Sequence, residues 1–135
     1  MRDIQENRPI ALVVEDEPIV MLGAVQMFET AGFEALVAFT ADEAIAHLEG
    51  RTDIALVFTD CELPGSMDGP TLTHQVRSRW PTIEIIVVSG PRRIDGQTLP
   101  LGVRFFPKPY SQDQIERAAK ELGVLGTVPR ARQTL

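Results

Sequence analysis

Short runs of apolar and β-branched residues alternate along the chain with longer segments in which apolar residues recur at helical spacing. The runs predict five buried strands, at residues 9–14, 33–39, 53–59, 83–89 and 103–106. The longer segments predict helices at residues 19–31, 41–49 and 70–79, and a last helix from Ser111 to about Leu122. Capping-box patterns, Thr40 with Glu43 and Ser111 with Gln114, mark the starts of the second and the last of these helices. Such alternation is typical of a parallel sheet with helices on both faces, so we predict an α/β domain.

The segment between the last two predicted strands, residues 91–102, departs from this regularity. Gly96 lies inside it, and Pro100 soon ends it. Relative to alanine, glycine costs about 1 kcal/mol in a helix interior and proline about 3 kcal/mol. We therefore predict that the helix at this point is shortened or irregular.

Composition narrows the possible functions. The chain has 135 residues, which suits one domain, and its net charge of -6 argues against direct contact with nucleic acid. A single cysteine excludes an internal disulfide, and the longest apolar stretch, residues 19–28, is about half of a membrane span. We expect a cytoplasmic protein without a membrane partner, made of an N-terminal extension, one domain and a flexible tail (1–8, 9–122 and 123–135).

Polar residues follow four of the predicted strands at the point where each strand ends. They are Glu15 and Asp16 for the first strand, Asp60 for the third, Ser89 for the fourth and Lys108 for the fifth. Because ligands of open α/β sheets bind at the carboxyl ends of the strands, we expect these side chains to share one site. Clustered carboxylates repel one another unless a cation joins them, and oxygen ligands beside a phosphate suit Mg²⁺. The lysine and the serine would then bind an anion, with Asp60 as the nucleophile.

Each of these residues also has an ordinary explanation. An acid after a strand is commonly a turn residue or a helix cap, and a lone lysine is commonly a solvated surface charge. The joint arrangement favours a site. His47 and His74, on two of the predicted helices, are interpreted as solvated side chains, and Cys61 as a small buried apolar residue.

Four motifs around the strand ends resemble those of the receiver domains of two-component response regulators. They are VVEDEP, FTDCELPG, VVSG and FPKPY, in this order along residues 9–122. The resemblance implies a flavodoxin-like (CheY-like), doubly wound sheet of five parallel strands in the order 2-1-3-4-5. It also implies Mg²⁺ as the cofactor and a histidine kinase or phosphotransfer protein as the phosphoryl donor. Because little chain follows the last helix, we expect a stand-alone receiver that signals by binding a downstream protein, which the sequence does not name.

The resemblance further implies a role for each matching residue in the metal site. Asp60 corresponds to the phosphoacceptor, whose carboxylate also faces the metal, and Asp16 to the acid that binds Mg²⁺ directly. Glu15, where many members carry aspartate, would act on the metal largely through water. The backbone carbonyl of Glu62 would supply a further ligand, and its side chain would tune attack by water on the phosphoryl group.

A second set of implied roles concerns the response to phosphorylation. Ser89 and Lys108 would bind phosphoryl oxygens, and the bond from Lys108 to Pro109 is expected to be cis. Phe105 lies where the family has a switch aromatic, with Phe106 as its competitor for that role. Movement of Ser89 towards the phosphoryl group would let the Phe105 ring turn inward.

Other functions stay open at this point. The domain could be a protein-interaction module or a phosphate sink whose phosphorylation is not the signal. An aspartyl-phosphate phosphatase would use Glu62 as its second acid, but the chain lacks a cap domain. Flavin binding is disfavoured because no phosphate-binding loop follows the first strand. We expect no enzymatic activity beyond the domain's own phosphorylation and dephosphorylation.

Overall fold

A single parallel sheet forms the centre of the computed structural model, which describes residues 8–90 and 99–124. Its strands are β1 (Ile10–Val14), β2 (Glu34–Ala38), β3 (Ile54–Asp60), β4 (Glu84–Ser89) and β5 (Arg104–Pro107). They are arranged in the order β2-β1-β3-β4-β5, and every neighbouring pair is parallel. The predicted strands, their order and the flavodoxin-like architecture are confirmed.

Helices cover both faces of this sheet and give it two separate apolar layers. They are α1 (Pro18–Ala31), α2 (Ala41–Gly50), α3 (Gly69–Arg79) and α4 (Gln112–Glu121). Helices α1 and α4 bury residues such as Phe28 and Ile115 on one face, whereas α2 and α3 bury Leu48 and Leu72 on the other. Alternate residues of each strand belong to opposite layers, so β1 is apolar along its whole length and the sheet is held from both faces.

Side-chain caps mark the start of three of the four described helices, α2, α3 and α4. Asp68 accepts a hydrogen bond from the backbone N–H of Thr71 at 3.0 Å and so starts α3 directly after the loop that follows β3. Ser111 and Gln114 form the predicted capping box at the start of α4. These caps fix where α3 and α4 begin, beside the carboxyl edge of the sheet.

The predicted capping box at Thr40 and Glu43 is only half present. Thr40 does accept from the backbone N–H of Glu43, at 3.1 Å. The Glu43 carboxylate, however, accepts from the N–H of Phe39 at 2.7 Å rather than from that of Thr40. The difference arises because β2 is an edge strand, and the backbone donor at its end is available to a side chain of α2.

Several predictions concern residues outside the described part of the chain. Most of the segment predicted as a shortened or irregular helix, residues 91–98, lies there, as do 1–7 of the predicted extension and 125–135 of the predicted tail. The four residues that precede Val103 are described, and they form coil and a turn closed by Gly102 with φ of 86°. Within the described residues, no helix has the length and apolar character needed to cross a bilayer.

Candidate functional site

Three carboxylates meet at the carboxyl edge of the sheet. Glu15 and Asp16 directly follow β1, and Asp60 is the last residue of the neighbouring strand β3. One carboxylate oxygen from each lies within 4.8 Å of the other two. Glu15 and Asp60 are 5% and 8% exposed, whereas Asp16 is exposed. The expectation that these three carboxylates come together at one edge of the sheet is confirmed.

Lys108 pairs with one of these carboxylates. Its Nζ lies 3.1 Å from Oδ1 of Asp60. The lysine follows β5 directly, and its backbone N–H donates to the carbonyl of Ser89 at 2.8 Å, which extends the β4–β5 pairing by one bond. The Lys108–Pro109 peptide bond is cis, as predicted. The pair brings a cation from the edge strand to an acid on the central strand.

Backbone donors hold two of the carboxylates in place. The N–H of Cys61 donates to Oδ1 of Asp60 at 3.0 Å, and the N–H of Glu17 donates to Oε2 of Glu15 at 3.1 Å. Cys61 itself is buried, as predicted for a small apolar residue. Oδ1 of Asp60 therefore accepts from a lysine and from a backbone amide, and both bonds restrict how its carboxylate can turn.

Burial determines the electrostatics of the acids. It raises the pKa of Asp60, and the nearby Lys108 charge and the Cys61 N–H offset only part of that rise. Burial likewise raises the pKa of Glu15, and the neighbouring charge of Asp60 raises it further. An ordinary ion pair lowers the pKa of its acid, so the raised pKa of Asp60 means that burial outweighs the ion pair with Lys108.

Lys108 has the complementary property. Its partial burial acts to lower its pKa, but the negative charges of Asp60 and Glu15 outweigh that effect and leave the pKa raised. The ammonium group is therefore held in its charged form by the carboxylates that it faces. A fixed cation beside buried acids suits an anion that arrives at the same place.

Ser89 is fully buried at the end of β4. Its hydroxyl donates to the carbonyl of Gly90 at 3.1 Å. In the neighbouring strand β4, Val88 pairs with Asp60, and Ser89 is the next residue. The role predicted for this hydroxyl, a bond to a phosphoryl oxygen, stays a prediction, as does that of Glu62, which is exposed in the loop after β3.

The two phenylalanines of β5 face opposite layers of the fold. Phe105 packs against the layer covered by α2 and α3, and Phe106 against the layer covered by α1 and α4. Both rings are partly buried. The alternation agrees with the expectation that only one of the two can act as the switch aromatic, and the assignment of that role to Phe105 stays a prediction.

Tyr110 is a site neighbour that the sequence reasoning missed. Its ring packs edge-on against Phe58 of β3, with 5.8 Å between ring centroids. Burial raises the pKa of its hydroxyl, the Lys108 charge acts to lower it, and the charges of Glu15 and Asp60 raise it further. The tyrosine stands in the FPKPY motif two positions after Lys108, but its packing against β3, which lies two strands away from β5 in the sheet, depends on the tertiary structure.

The carboxylate cluster fits Mg²⁺. The three acids supply only oxygen donors, and the exposed position of Asp16 leaves room for the water molecules that Mg²⁺ retains. The raised pKa values of Glu15 and Asp60 indicate a site that a bound cation would relieve of excess negative charge. The direct ligands predicted for the metal, Asp16, Asp60 and the carbonyl of Glu62, stay a prediction.

The histidines lie away from this cluster. His47, on α2, contacts the carbonyl of Val37 on the edge strand β2 through Nε2 at 2.9 Å. His74 is exposed on α3. Neither histidine belongs to the cluster formed by Glu15, Asp16 and Asp60.

Comparison with known proteins places this arrangement in context. A family model described as response regulator receiver domain matches residues 11–120. The sensor kinase CckA of Brucella abortus is 37% identical over 117 residues, which is 82% of this chain and 12% of that protein. The nitrogen assimilation regulatory protein NtrX of Azorhizobium caulinodans is 28% identical over 90% of this chain and 28% of its own length. The chain thus spans well under a third of either curated relative.

Solved structures show the same fold. A receiver domain from the hybrid histidine kinase CckA superimposes with a TM-score of 0.68 at 30% identity, covering 84% of this chain and 97% of the other. A response regulator receiver domain protein from Clostridium thermocellum gives a TM-score of 0.78 at 20% identity, over 94% and 99% of the two chains. At that identity the second likeness supports the fold alone.

Proposed function

Because the chain belongs to the response regulator receiver domain family, we propose that it accepts a phosphoryl group on Asp60 from a histidine kinase or a phosphotransfer protein. The observation that carries this proposal is the geometry at the end of β3. Asp60 lies with Glu15 and Asp16 in one cluster and 3.1 Å from the Lys108 ammonium. A carboxylate between a metal-binding cluster and a fixed cation suits nucleophilic attack on a phosphoryl group.

The transfer replaces the bond between phosphorus and the donor nitrogen by a bond between phosphorus and Asp60. One carboxylate oxygen of Asp60 attacks the phosphorus atom and forms an acyl phosphate. The bond from phosphorus to the donor imidazole nitrogen breaks, and its electron pair stays on that nitrogen. Bound Mg²⁺ would supply electrostatic stabilisation of the phosphoryl oxygens. Lys108 would stabilise a second oxygen, and its raised pKa supports a charged ammonium throughout the step.

The donor is a phosphohistidine protein in this proposal. The likeness to the receiver domain of a hybrid histidine kinase supports such a donor over a nucleotide. Asp60 is nearly buried, so the donor group has to approach from the open side marked by the exposed Asp16. Glu62, which is exposed in the loop after β3, would meet water that attacks the acyl phosphate and so would affect the lifetime of the signal.

A packing change would carry the signal to a partner. The new phosphoryl oxygens would draw the Ser89 hydroxyl from its bond with the Gly90 carbonyl. Ser89 and Phe105 lie on adjacent strands, where Ser89 pairs with Pro107, two residues after Phe105. Phe105 would then turn into the vacated space and change the surface around β5, which a downstream protein would recognise.

Incubation with Mg²⁺ and acetyl phosphate tests the proposal. Intact mass should gain one phosphoryl group in the wild-type protein, and Asp60→Asn should abolish that gain because the amide is not a nucleophile. Asp53→Asn, an exposed aspartate just before β3, is the matched control and should gain the same mass as wild type. A phosphoryl gain in Asp60→Asn, or none in wild type with a phosphohistidine donor as well, would contradict the assignment.

A further inference from the structure

Gly69, the first residue of α3, lies directly against the backbone of the phosphoacceptor. A Cβ atom at this position would lie 2.7 Å from Cα of Cys61 and 2.9 Å from the Cys61 carbonyl oxygen, and closer still to the Asp60 carbonyl oxygen. All three are backbone atoms, so they cannot give way as a flexible side chain could. The Gly69 N–H also donates to the Cys61 carbonyl at 2.8 Å. Only glycine permits this approach of α3 to the end of β3.

Thr59 contacts the peptide between Asp60 and Cys61 from the interior of the protein. Its side chain is fully buried, and its hydroxyl donates to the carbonyl of Asp60 at 2.9 Å. The N–H on the other side of that peptide, from Cys61, donates to the Val88 carbonyl of β4 at 2.8 Å and to Oδ1 of Asp60 at 3.0 Å. The peptide between Asp60 and Cys61 is therefore held at its carbonyl and at its N–H.

This restraint reaches the reacting carboxylate. Because the Cys61 N–H bonds Oδ1 of Asp60, rotation of the peptide moves the oxygen that also contacts Lys108. We propose that Thr59 and Gly69 are positioning residues that orient the Asp60 carboxylate by clamping the Asp60–Cys61 peptide. The inference rests on the function proposed above, and it assigns to these two residues a part in the reaction that neither touches. A misplaced nucleophile by about 1 Å can slow a reaction by up to about 100-fold.

Thr59→Val and Thr59→Ser separate positioning from packing. Valine keeps the shape of threonine without the hydroxyl, whereas serine keeps the hydroxyl without the methyl group. With saturating Mg²⁺ and acetyl phosphate, we expect Thr59→Val to gain the phosphoryl group about tenfold more slowly than wild type, and Thr59→Ser to stay within about twofold. A purely structural role predicts the reverse order, because serine leaves a gap in the buried site.

Thr73→Val is the matched control for Thr59→Val. Thr73 is equally buried, and its hydroxyl donates at 2.7 Å to the carbonyl of Pro70, within α3, rather than to the Asp60–Cys61 peptide. Both variants lose one buried hydroxyl–carbonyl bond, so their unfolding midpoints in urea should fall by a similar amount. Only Thr59→Val should slow phosphorylation, and equal rates in the two variants would overturn the proposal.

Gly69→Ala tests the second contact. We expect it to slow phosphorylation by at least about tenfold. Gly23→Ala, in a helix position with open space around it, should phosphorylate like wild type. Should Gly69→Ala fail to fold, the threonine series decides alone. A folded Gly69→Ala that phosphorylates at the wild-type rate would also refute the clamp.

A metal-free measurement gives a readout independent of phosphorylation. Amide exchange of Cys61 without Mg²⁺ should be faster in Thr59→Val than in wild type and Thr73→Val, because the peptide that carries this N–H loses a restraint. Unchanged exchange at Cys61 would contradict the inference. If the proposed function itself is wrong, the wild-type protein will gain no phosphoryl group on Asp60. That result can be told apart from a failure of the positioning role, in which wild type is phosphorylated and the variants react at the same rate.

Discussion

The two ends of the parallel sheet hold charge in opposite ways. At the amino end, Arg51 pairs with Asp53 at 2.9 Å and Arg79 with Glu49 at 2.7 Å, and all four side chains are at least one-third exposed. Arg104, the first residue of β5, likewise pairs with the exposed Glu121. Each of these acids pairs with one arginine, and each pair is in contact with solvent. Pairs of this kind contribute little to stability.

The carboxyl end concentrates negative charge where solvent is scarce. Glu15 and Asp60 are almost fully buried, Asp16 lies beside them, and Lys108 pairs with only one of the three. The pKa values of Glu15 and Asp60 are raised by burial, which means that the fold is held together in spite of these charges. The difference teaches that charge at the amino end is paired and solvated, whereas charge at the carboxyl end is kept at a cost to stability, as is common at functional sites.

The largest difference between the two ends should appear on removal of one cation from each. Lys108→Ala should slow phosphorylation of Asp60 by acetyl phosphate about 100-fold, because the phosphoryl oxygens lose a partly buried charged donor. Arg79→Ala removes the Glu49 pair and a cation that lies 4.4 Å from the Trp80 ring, yet should leave the rate unchanged. The measurement is intact mass against time, and similar slowing in both variants would break the comparison.

A smaller difference between the two ends of the sheet is expected in Mg²⁺ affinity when one acid is neutralised at each end. Asp16→Asn should weaken Mg²⁺ binding by about tenfold or more, because the amide lacks the charge of a metal ligand. Asp53→Asn removes an equally exposed acid from the other end and should bind Mg²⁺ like wild type. Calorimetric titration with Mg²⁺ measures both, and wild-type affinity in Asp16→Asn would mean that this residue is not a ligand.

The smallest effect concerns stability without metal. Two unit charges about 5 Å apart repel by about 3 kcal/mol at an effective dielectric of 20. Asp60→Asn removes such a repulsion, but it also removes the attraction between Asp60 and Lys108, which offsets part of the stabilisation. Asp60→Asn should therefore raise the free energy of unfolding at pH 7 by about 1 kcal/mol. Urea denaturation with a chelator present measures it, and Asp53→Asn, which breaks an exposed ion pair, should not be stabilised.

The pH dependence of that effect has a definite sign. A carboxyl whose pKa is raised by folding binds its proton more readily in the folded state, so it destabilises the fold as pH rises above its ordinary value, 3.8 for Asp60. The stabilisation of Asp60→Asn over wild type should thus be greatest near neutral pH and shrink as the pH falls towards 4. A gain that grew on acidification would show that Asp60 is stabilised as a carboxylate.

The elements of the fold were largely predictable because their signals are local. The strands are continuous apolar runs, and residues such as Ser111 and Asp68 mark helix starts by chemistry that needs no distant partner. The prediction at Glu43 was wrong in its partner, because the bond to the N–H of Phe39 depends on β2 lying at the edge of the sheet. The same edge position sets the contact of His47 with Val37.

By itself, the sequence determined which residue types end each strand, and in parallel sheets all such residues come to one edge. That is sufficient to predict a site with Glu15, Asp16, Asp60, Ser89 and Lys108. Only the tertiary structure decided that Lys108 pairs with Asp60, that Tyr110 lies beside them and that Thr59 and Gly69 enclose the next peptide. Periodicity assigns a residue to a face or an end, whereas distances of about 3 Å depend on how helices and strands far apart in sequence pack together.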